Sequence, residues 1–332
     1  MPEACAIKPR ELKADLMKLR STLVFSGLFA ILAALPASAQ GPFVLDPAKL
    51  KLASANALVI DTLDNRAVYT KAADDVTPIA SLTKLMTAIV TLDAGQPLDE
   101  GLAIDMDDLD FVKGSHSRLR LGTELPRREM LRLALMSSEN RAASSLARAY
   151  PGGTRAFVDE MNTKARMLGM THTHYADATG LSPENVSTAS DLAIVVAAAA
   201  QYPLIREFST TGSHYVELQP TGKWLGFNNT NNLVKNAQWD IQLSKTGYIR
   251  EAGKCLVMLT TIGSRPFVIV LLDSAGRYTR LGDALRVRHW LETGEMPPAA
   301  VPVAGKTGAK PVKAKGRVAG TLPVTKVAHN AR

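Results

Sequence analysis

The stretch "PIASLTKLMTAIV", residues 78–90, carries a single charged residue, Lys84, three positions after Ser81. Leu82, Leu85, Met86 and Ile89 repeat at the i, i+3, i+4, i+7 spacing of an amphipathic helix, which leaves Thr83, Lys84 and Thr87 on the opposite face. By the helical wheel alone that face is exposed, and Lys84 is a surface lysine. A solvated face normally carries several charges, whereas Lys84 is the only one between Asp75 and Asp93, as expected of a helix covered on both sides. Residues three apart on a helix are neighbours, so a covered Lys84 reaches the Ser81 hydroxyl. Burial disfavours the charged form of a lysine, and an uncharged amine is the base that a serine nucleophile needs. Ser-x-x-Lys is a loose pattern, and on this stretch alone both readings stand.

Outward from this helix, "NALVIDTLDNRAVYT" reads as two short strands around a turn at Asp64-Asn65. Helical patterns recur in "PRREMLRLALM", "RAASSLARAY", "GTRAFVDEMNTKARMLGM" and "TASDLAIVVAAAA". Next, "SHYVEL", "IQLSKTGYI", "KCLVMLTTI" and "PFVIVLLD" read as strands, and a last helix runs from about Thr279 to Leu291. This order predicts an α/β protein, an antiparallel sheet flanked by helices with a helical subdomain. The length suffices for one core, and the chain shows no internal repeat.

The first 39 residues read as an export signal. Lys8, Arg10, Lys13, Lys18 and Arg20 form a basic region, residues 23–35 are apolar, and Ala37-Ser38-Ala39 is a small-residue cleavage site before Gln40. That apolar run is short for a bilayer span, so a cleaved signal is favoured over an uncleaved anchor, and the mature protein is expected outside the cytoplasm, in the periplasm. Of the +8 formal charge, residues 297–332 carry +7 and the signal +2, so residues 40–296 are nearly neutral at −1. Nothing in that balance supports a basic nucleic-acid-binding surface on the folded part, and no nucleic-acid partner is expected. Three segments follow: signal 1–39, catalytic domain 40–295, and a basic tail, 296–332, whose composition suggests disorder. The tail's charge suits contact with anionic wall or membrane surfaces, or serves only to solubilise the chain end. Once Cys5 leaves with the signal, Cys255 is alone, and its setting "KCLVMLTTI" suits a small buried hydrophobe. His116, His172, His174, His214, His289 and His329 form no metal-type cluster, and neither a metal nor a cofactor is expected.

Two further motifs bear on Ser81. Ser138-Glu139-Asn140 falls at the break between two helical patterns, where it is either an ordinary helix cap or a polar turn facing a cleft. Another Ser-x-Asn, Ser54 to Asn56, shows how readily the pattern arises. Lys245-Thr246-Gly247 lies inside a strand, where a glycine marks close approach by a backbone or ligand, and its lysine and threonine suit an anionic group. The same tripeptide recurs at Lys306-Thr307-Gly308 in the tail, away from any framework that could aim it.

The order Ser-x-x-Lys, Ser-x-Asn, Lys-Thr-Gly resembles the penicillin-binding protein and serine β-lactamase superfamily. Within it, the chain is most similar to low-molecular-mass D-alanyl-D-alanine peptidases, the endopeptidases of the penicillin-binding protein 7 type. "ATGLSPENVSTASDLA", residues 178–193, looks like the Gly-Leu…Ser-Thr-Ala-x-Asp-Leu signature of that branch. The likeness covers roughly residues 56–291. Carboxypeptidases of the family often carry a further β-rich domain and an amphipathic anchor, neither of which is read past Gly294, and this favours the endopeptidase branch.

The resemblance implies acyl transfer through Ser81, with Lys84 taking its proton, Ser138 relaying protons to the leaving amine, and Asn140 holding substrate and Lys84. It implies an oxyanion hole from the N–H groups of Ser81 and Tyr248, a carboxylate site at Lys245 and Thr246 beside Gly247, and a contribution from Arg280, which the sequence alone reads as a solvated helix-start arginine. Peptidoglycan stem peptides are the implied substrates and β-lactams the implied covalent inhibitors. Carboxypeptidase action is the first alternative. A class A β-lactamase would need a deacylating glutamate, for which Glu184 is the candidate, and a non-catalytic wall-binding module would form no covalent adduct.

Overall fold

The computed structural model describes residues 45–111, 113–275 and 279–297. The export signal and all but the start of the tail, with Lys306-Thr307-Gly308, lie outside them. Strand β1 (Ser54–Asp61) turns at Asn65, whose φ of 49° suits asparagine, into β2 (Arg66–Lys71). Short β3 (Thr77–Pro78) leads into α1 (Lys84–Asp93), and β4 (Gly101–Ala103) pairs with β5 (Glu124–Pro126). The helical block continues with α2 (Arg127–Met136), α3 (Asn140–Arg148) and α4 (Gly153–Met167). Strand β6 (Val186–Ser187) pairs with β3, and α5 (Ala189–Ala199) and α6 (Pro203–Thr210) follow. A hairpin of β7 (Ser213–Leu218) and β8 (Lys223–Asn228) precedes β9 (Asp240–Ile249), β10 (Gly253–Ile262), β11 (Arg265–Ser274) and α7 (Thr279–Thr293).

The main sheet runs β2-β1-β11-β10-β9, every pair antiparallel, so both ends of the domain meet at the β1–β11 ladder. Alternate residues of β11 feed two cores. Val268, Val270 and Leu272 face a core shared with α1 to α6, while Phe267, Ile269 and Leu271 join Val287 and Trp290 of α7. A sheet covered on both faces needs continuous apolar strands, which is why "FVIVLL" shows no polar alternation. The α/β architecture read from the sequence is present. Several elements escaped that reading: the strands β3 to β6, of two or three residues each and too short to show a period; α6, a single short segment begun by Pro203; and β8, whose Gly226 interrupts any strand pattern.

Candidate active site

Ser81 does not open an α-helix, as the apolar period suggested, but lies in a 3-10 turn, Ala80–Thr83, that runs into α1. Side chains three apart eclipse in such a turn, and this aligns Ser81 with Lys84. Ala80 takes a φ of 48°, a strained value for a residue with a Cβ. Two glycines hold the turn. A Cβ on Gly180 would sit 2.0 Å from the Ala80 carbonyl oxygen, and one on Gly247 would sit 3.0 Å from that of Ile79. Gly247 thus needs no side chain because β9 lies directly against the nucleophile's backbone, bringing the segment that carries the Tyr248 N–H alongside that of Ser81.

Lys84 is 1% exposed, so the surface reading fails. The loop 176–185 covers its face of the helix. Asn185 donates to the Thr83 hydroxyl at 2.9 Å, and the Thr87 hydroxyl donates to the Ala178 carbonyl at 2.7 Å. The threonines that made this face look polar are the points at which the loop docks. Lys84 Nζ lies 2.9 Å from Ser81 Oγ, 2.7 Å from Asn140 Oδ1 and 2.6 Å from the Thr179 carbonyl oxygen. Burial pulls its pKa from 10.5 down to about 7, against the opposing pull of the Asp177 and Glu139 carboxylates. As an ammonium, Lys84 donates to all three; as an uncharged amine it can give two N–H groups to Asn140 and Thr179 and keep a lone pair for the Ser81 proton.

Ser138 takes a φ of 60°, so the chain turns sharply between α2 and α3. The cap of α3 is Glu139, whose carboxylate accepts from the Arg141 N–H, and neither Ser138 nor Asn140 fills that role. Ser138 and Asn140 instead divide two buried lysines between them. Asn140 holds Lys84, and Ser138 Oγ accepts from Lys245 Nζ at 2.8 Å. Lys245 is 1% exposed and its pKa is driven well down, by burial first and then by the charges of Lys84 and Arg280. The Thr246 hydroxyl bonds Thr230 at 2.6 Å, and Tyr248 stands exposed beyond it. Arg280 is half-buried rather than freely solvated: Nη1 donates to the Gly247 carbonyl at 2.9 Å, which braces the strand. The other Ser-x-Asn is structural, with Ser54 bonded to Asp283 and Asn56 to the Ala72 carbonyl.

Sequence reasoning missed the Thr179 carbonyl and Thr230. It also missed Asp177, whose carboxylate accepts from the Thr179, Gly180 and Ser182 N–H groups and so shapes the loop. The stretch 178–193 signalled the loop but not what its backbone does. Glu184, the glutamate of the β-lactamase reading, has an exposed side chain on that loop.

A sheet with helices on both faces, whose edge strand closes on a serine–lysine turn and a Ser-x-Asn corner, defines the class of active-site-serine enzymes that includes the penicillin-binding proteins. Within that class the chain belongs to the D-alanyl-D-alanine carboxypeptidase family (peptidase family S11), which it matches over residues 44–276. It is 52% identical over 260 residues to the D-alanyl-D-alanine endopeptidase of Pseudomonas aeruginosa, covering 78% of this chain and 83% of that one. To the D-alanyl-D-alanine endopeptidase of Escherichia coli it is 48% identical over 270 residues, covering 81% and 86%. The crystal structure of the Streptomyces K15 DD-transpeptidase superposes with a TM-score of 0.68 at 29% identity, covering 74% of this chain and 98% of that one.

Proposed function

We propose that this protein is a serine D,D-peptidase of peptidoglycan stem peptides, chiefly an endopeptidase that opens D-alanyl cross-bridges through an acyl-enzyme. The observation that carries the reading is the Lys84 amine, pulled to a pKa of about 7 and set 2.9 Å from Ser81 Oγ. In the first step the Ser81 proton passes to Lys84 as Oγ bonds to the D-alanine carbonyl carbon; such transfer contributes about 10²- to 10⁴-fold. The oxyanion so formed accepts from the Ser81 and Tyr248 N–H groups. The C–N bond then breaks, the leaving amine takes a proton by way of Ser138, and water releases the acyl group from Ser81. Lys245 and Thr246 bind the carboxylate of the leaving side, while Arg280 supports them through the Gly247 carbonyl. The two relatives above, both named endopeptidases, support the preference for cross-bridges over terminal D-alanine. Penicillin acylates Ser81 and stays, because Glu184 is exposed and is not a deacylating base.

Cleavage after Ala39 accompanies export, so the protein isolated from the periplasm begins at Gln40. The catalytic domain ends near Glu295, and the basic tail adds electrostatic contact with anionic wall or membrane surfaces. The deciding experiment is intact mass spectrometry of residues 40–332 after benzylpenicillin, with peptide mapping. A stable adduct on the peptide holding Ser81, absent in Ser81→Ala, is expected; rapid drug turnover would favour a β-lactamase, and no adduct on folded protein a binding module. Release of D-alanine alone from monomeric pentapeptides, with dimers left intact, would move the assignment to carboxypeptidase. Stopping the chain after Met296 leaves acylation intact and reduces sedimentation with sacculi at low salt.

A further inference from the structure

The Asp177 carboxylate touches none of the side chains that carry the chemistry, yet every contact it makes converges on one peptide unit beside them. Oδ1 accepts from the Thr179 N–H at 2.5 Å, the Thr179 hydroxyl at 2.8 Å and the Gly180 N–H at 2.6 Å, and Oδ2 accepts from the Ser182 N–H at 2.7 Å. The Gly180 N–H and the Thr179 carbonyl belong to the same peptide unit, and in a planar trans peptide the two point in opposite directions. Holding the N–H at Asp177 therefore aims the carbonyl oxygen the other way, at Lys84 Nζ, 2.6 Å off.

The rest of the loop keeps that unit from turning. Gly180 lies so close to the serine turn that a Cβ would meet the Ala80 carbonyl oxygen at 2.0 Å. Asn185, fully buried, accepts from the Ala176 and Asp177 N–H groups and donates to the Asp177 carbonyl and to the Thr83 hydroxyl. The carboxylate is thus seated on the same turn that carries Ser81.

An uncharged amine has two N–H groups and one lone pair. With the N–H groups given to Thr179 and Asn140, the lone pair is left for Ser81 Oγ, 2.9 Å away. A carbonyl whose own peptide N–H is bonded to a carboxylate is also the stronger acceptor, because linked hydrogen bonds polarise one another. The charged groups facing Lys84 are Asp177 from the loop, Glu139 before α3 and Lys245 on β9. The two carboxylates oppose the fall in pKa that burial causes, Asp177 more than Glu139, and so keep the amine basic enough to take a serine proton.

We propose that Asp177 is the positioning residue of the general base: acting through the Thr179–Gly180 peptide, its carboxylate turns the Lys84 lone pair toward Ser81. The proposal rests on the peptidase reading above and adds a residue to its first step.

The test is the rate of acylation by benzylpenicillin, per folded molecule, followed from pH 5 to 10 in two variants. Asp177→Asn keeps an acceptor for the Thr179 and Gly180 N–H groups but removes the charge. Its acid limb should move about one unit to lower pH, the direction expected when a carboxylate near a lysine is lost, and its plateau should fall about tenfold or more. Asp177→Glu keeps the charge but displaces the peptide by a methylene, so the plateau should fall with the acid limb in place. A residue that only stabilised the loop would leave the limb unmoved in both. An unmoved limb in Asp177→Asn, or a wild-type plateau in either variant, would overturn the proposal and leave the peptidase standing. Where Asp177→Asn does not fold, the Asp177→Glu plateau decides alone. Absence of the adduct in folded wild-type enzyme would overturn the peptidase reading and the proposal together.

Discussion

On the side of the sheet covered by α7, the buried Asp283 carboxylate accepts from the Ala53 and Ser54 N–H groups at 3.0 and 2.7 Å, from the Ser54 hydroxyl and from Arg286, each at 2.7 Å. On the other side, Lys84 and Lys245 are as deeply buried, face hydroxyls, an amide and carbonyls rather than carboxylates, and have their pKa values pulled down. One face stabilises its buried charge as fully as geometry allows. The other holds its charges in a setting that favours losing the proton. Buried ionisable groups of the second kind mark the chemistry, and those of the first kind mark the frame.

The sharpest way to break this contrast is Lys84→Met. Acylation by penicillin should slow by about 10²- to 10⁴-fold, while the fold persists. Between pH 7 and 10.5 the unfolded chain keeps a proton on this lysine that the folded chain releases. Stability therefore rises with pH across that window, and the burial penalty is complete below it. Lys84→Met should be more stable than wild type at neutral pH, by at most about 5 kcal/mol, with the gain shrinking toward pH 10.5. A lower melting temperature than wild type at pH 7 would contradict this. Wild-type acylation should fall about tenfold per unit as pH drops below 7, as the amine gains its proton.

Asp283→Ala tests the other face, where the change strands Arg286 and two N–H groups. A loss of about 3–5 kcal/mol in urea unfolding is expected, with acylation per folded molecule unchanged. Next in size is Gly180→Ala, which sets a Cβ against the Ala80 carbonyl in a left-handed position. It should cost about 1–3 kcal/mol and slow acylation by displacing Ser81, and a neutral result in both assays would show that the loop yields freely. The smallest effect belongs to Glu184→Gln, which should leave the lifetime of the penicillin adduct unchanged, as read by mass spectrometry over time.

The pairing of Ser81 with Lys84 was legible from sequence because it is local: three residues apart, it depends only on the turn that contains them. The strands of the main sheet and its flanking helices were legible from their apolar periods, and the order of the three motifs singled out Ser138 and Lys245. Whether Lys84 is buried was not legible, because a helical wheel reports one element and not what covers it. The covering loop is nearly 100 residues away, and it docks through threonines that look like solvent-facing residues. For the same reason Ser138-Glu139-Asn140 could be read as a cap: the contacts that set it apart, to Lys84 and Lys245, cross 56 and 107 residues. Sequence determined which groups could carry the chemistry. Tertiary packing decided their protonation, because desolvation and long-range neighbours, not composition, set the free energy of a buried charge.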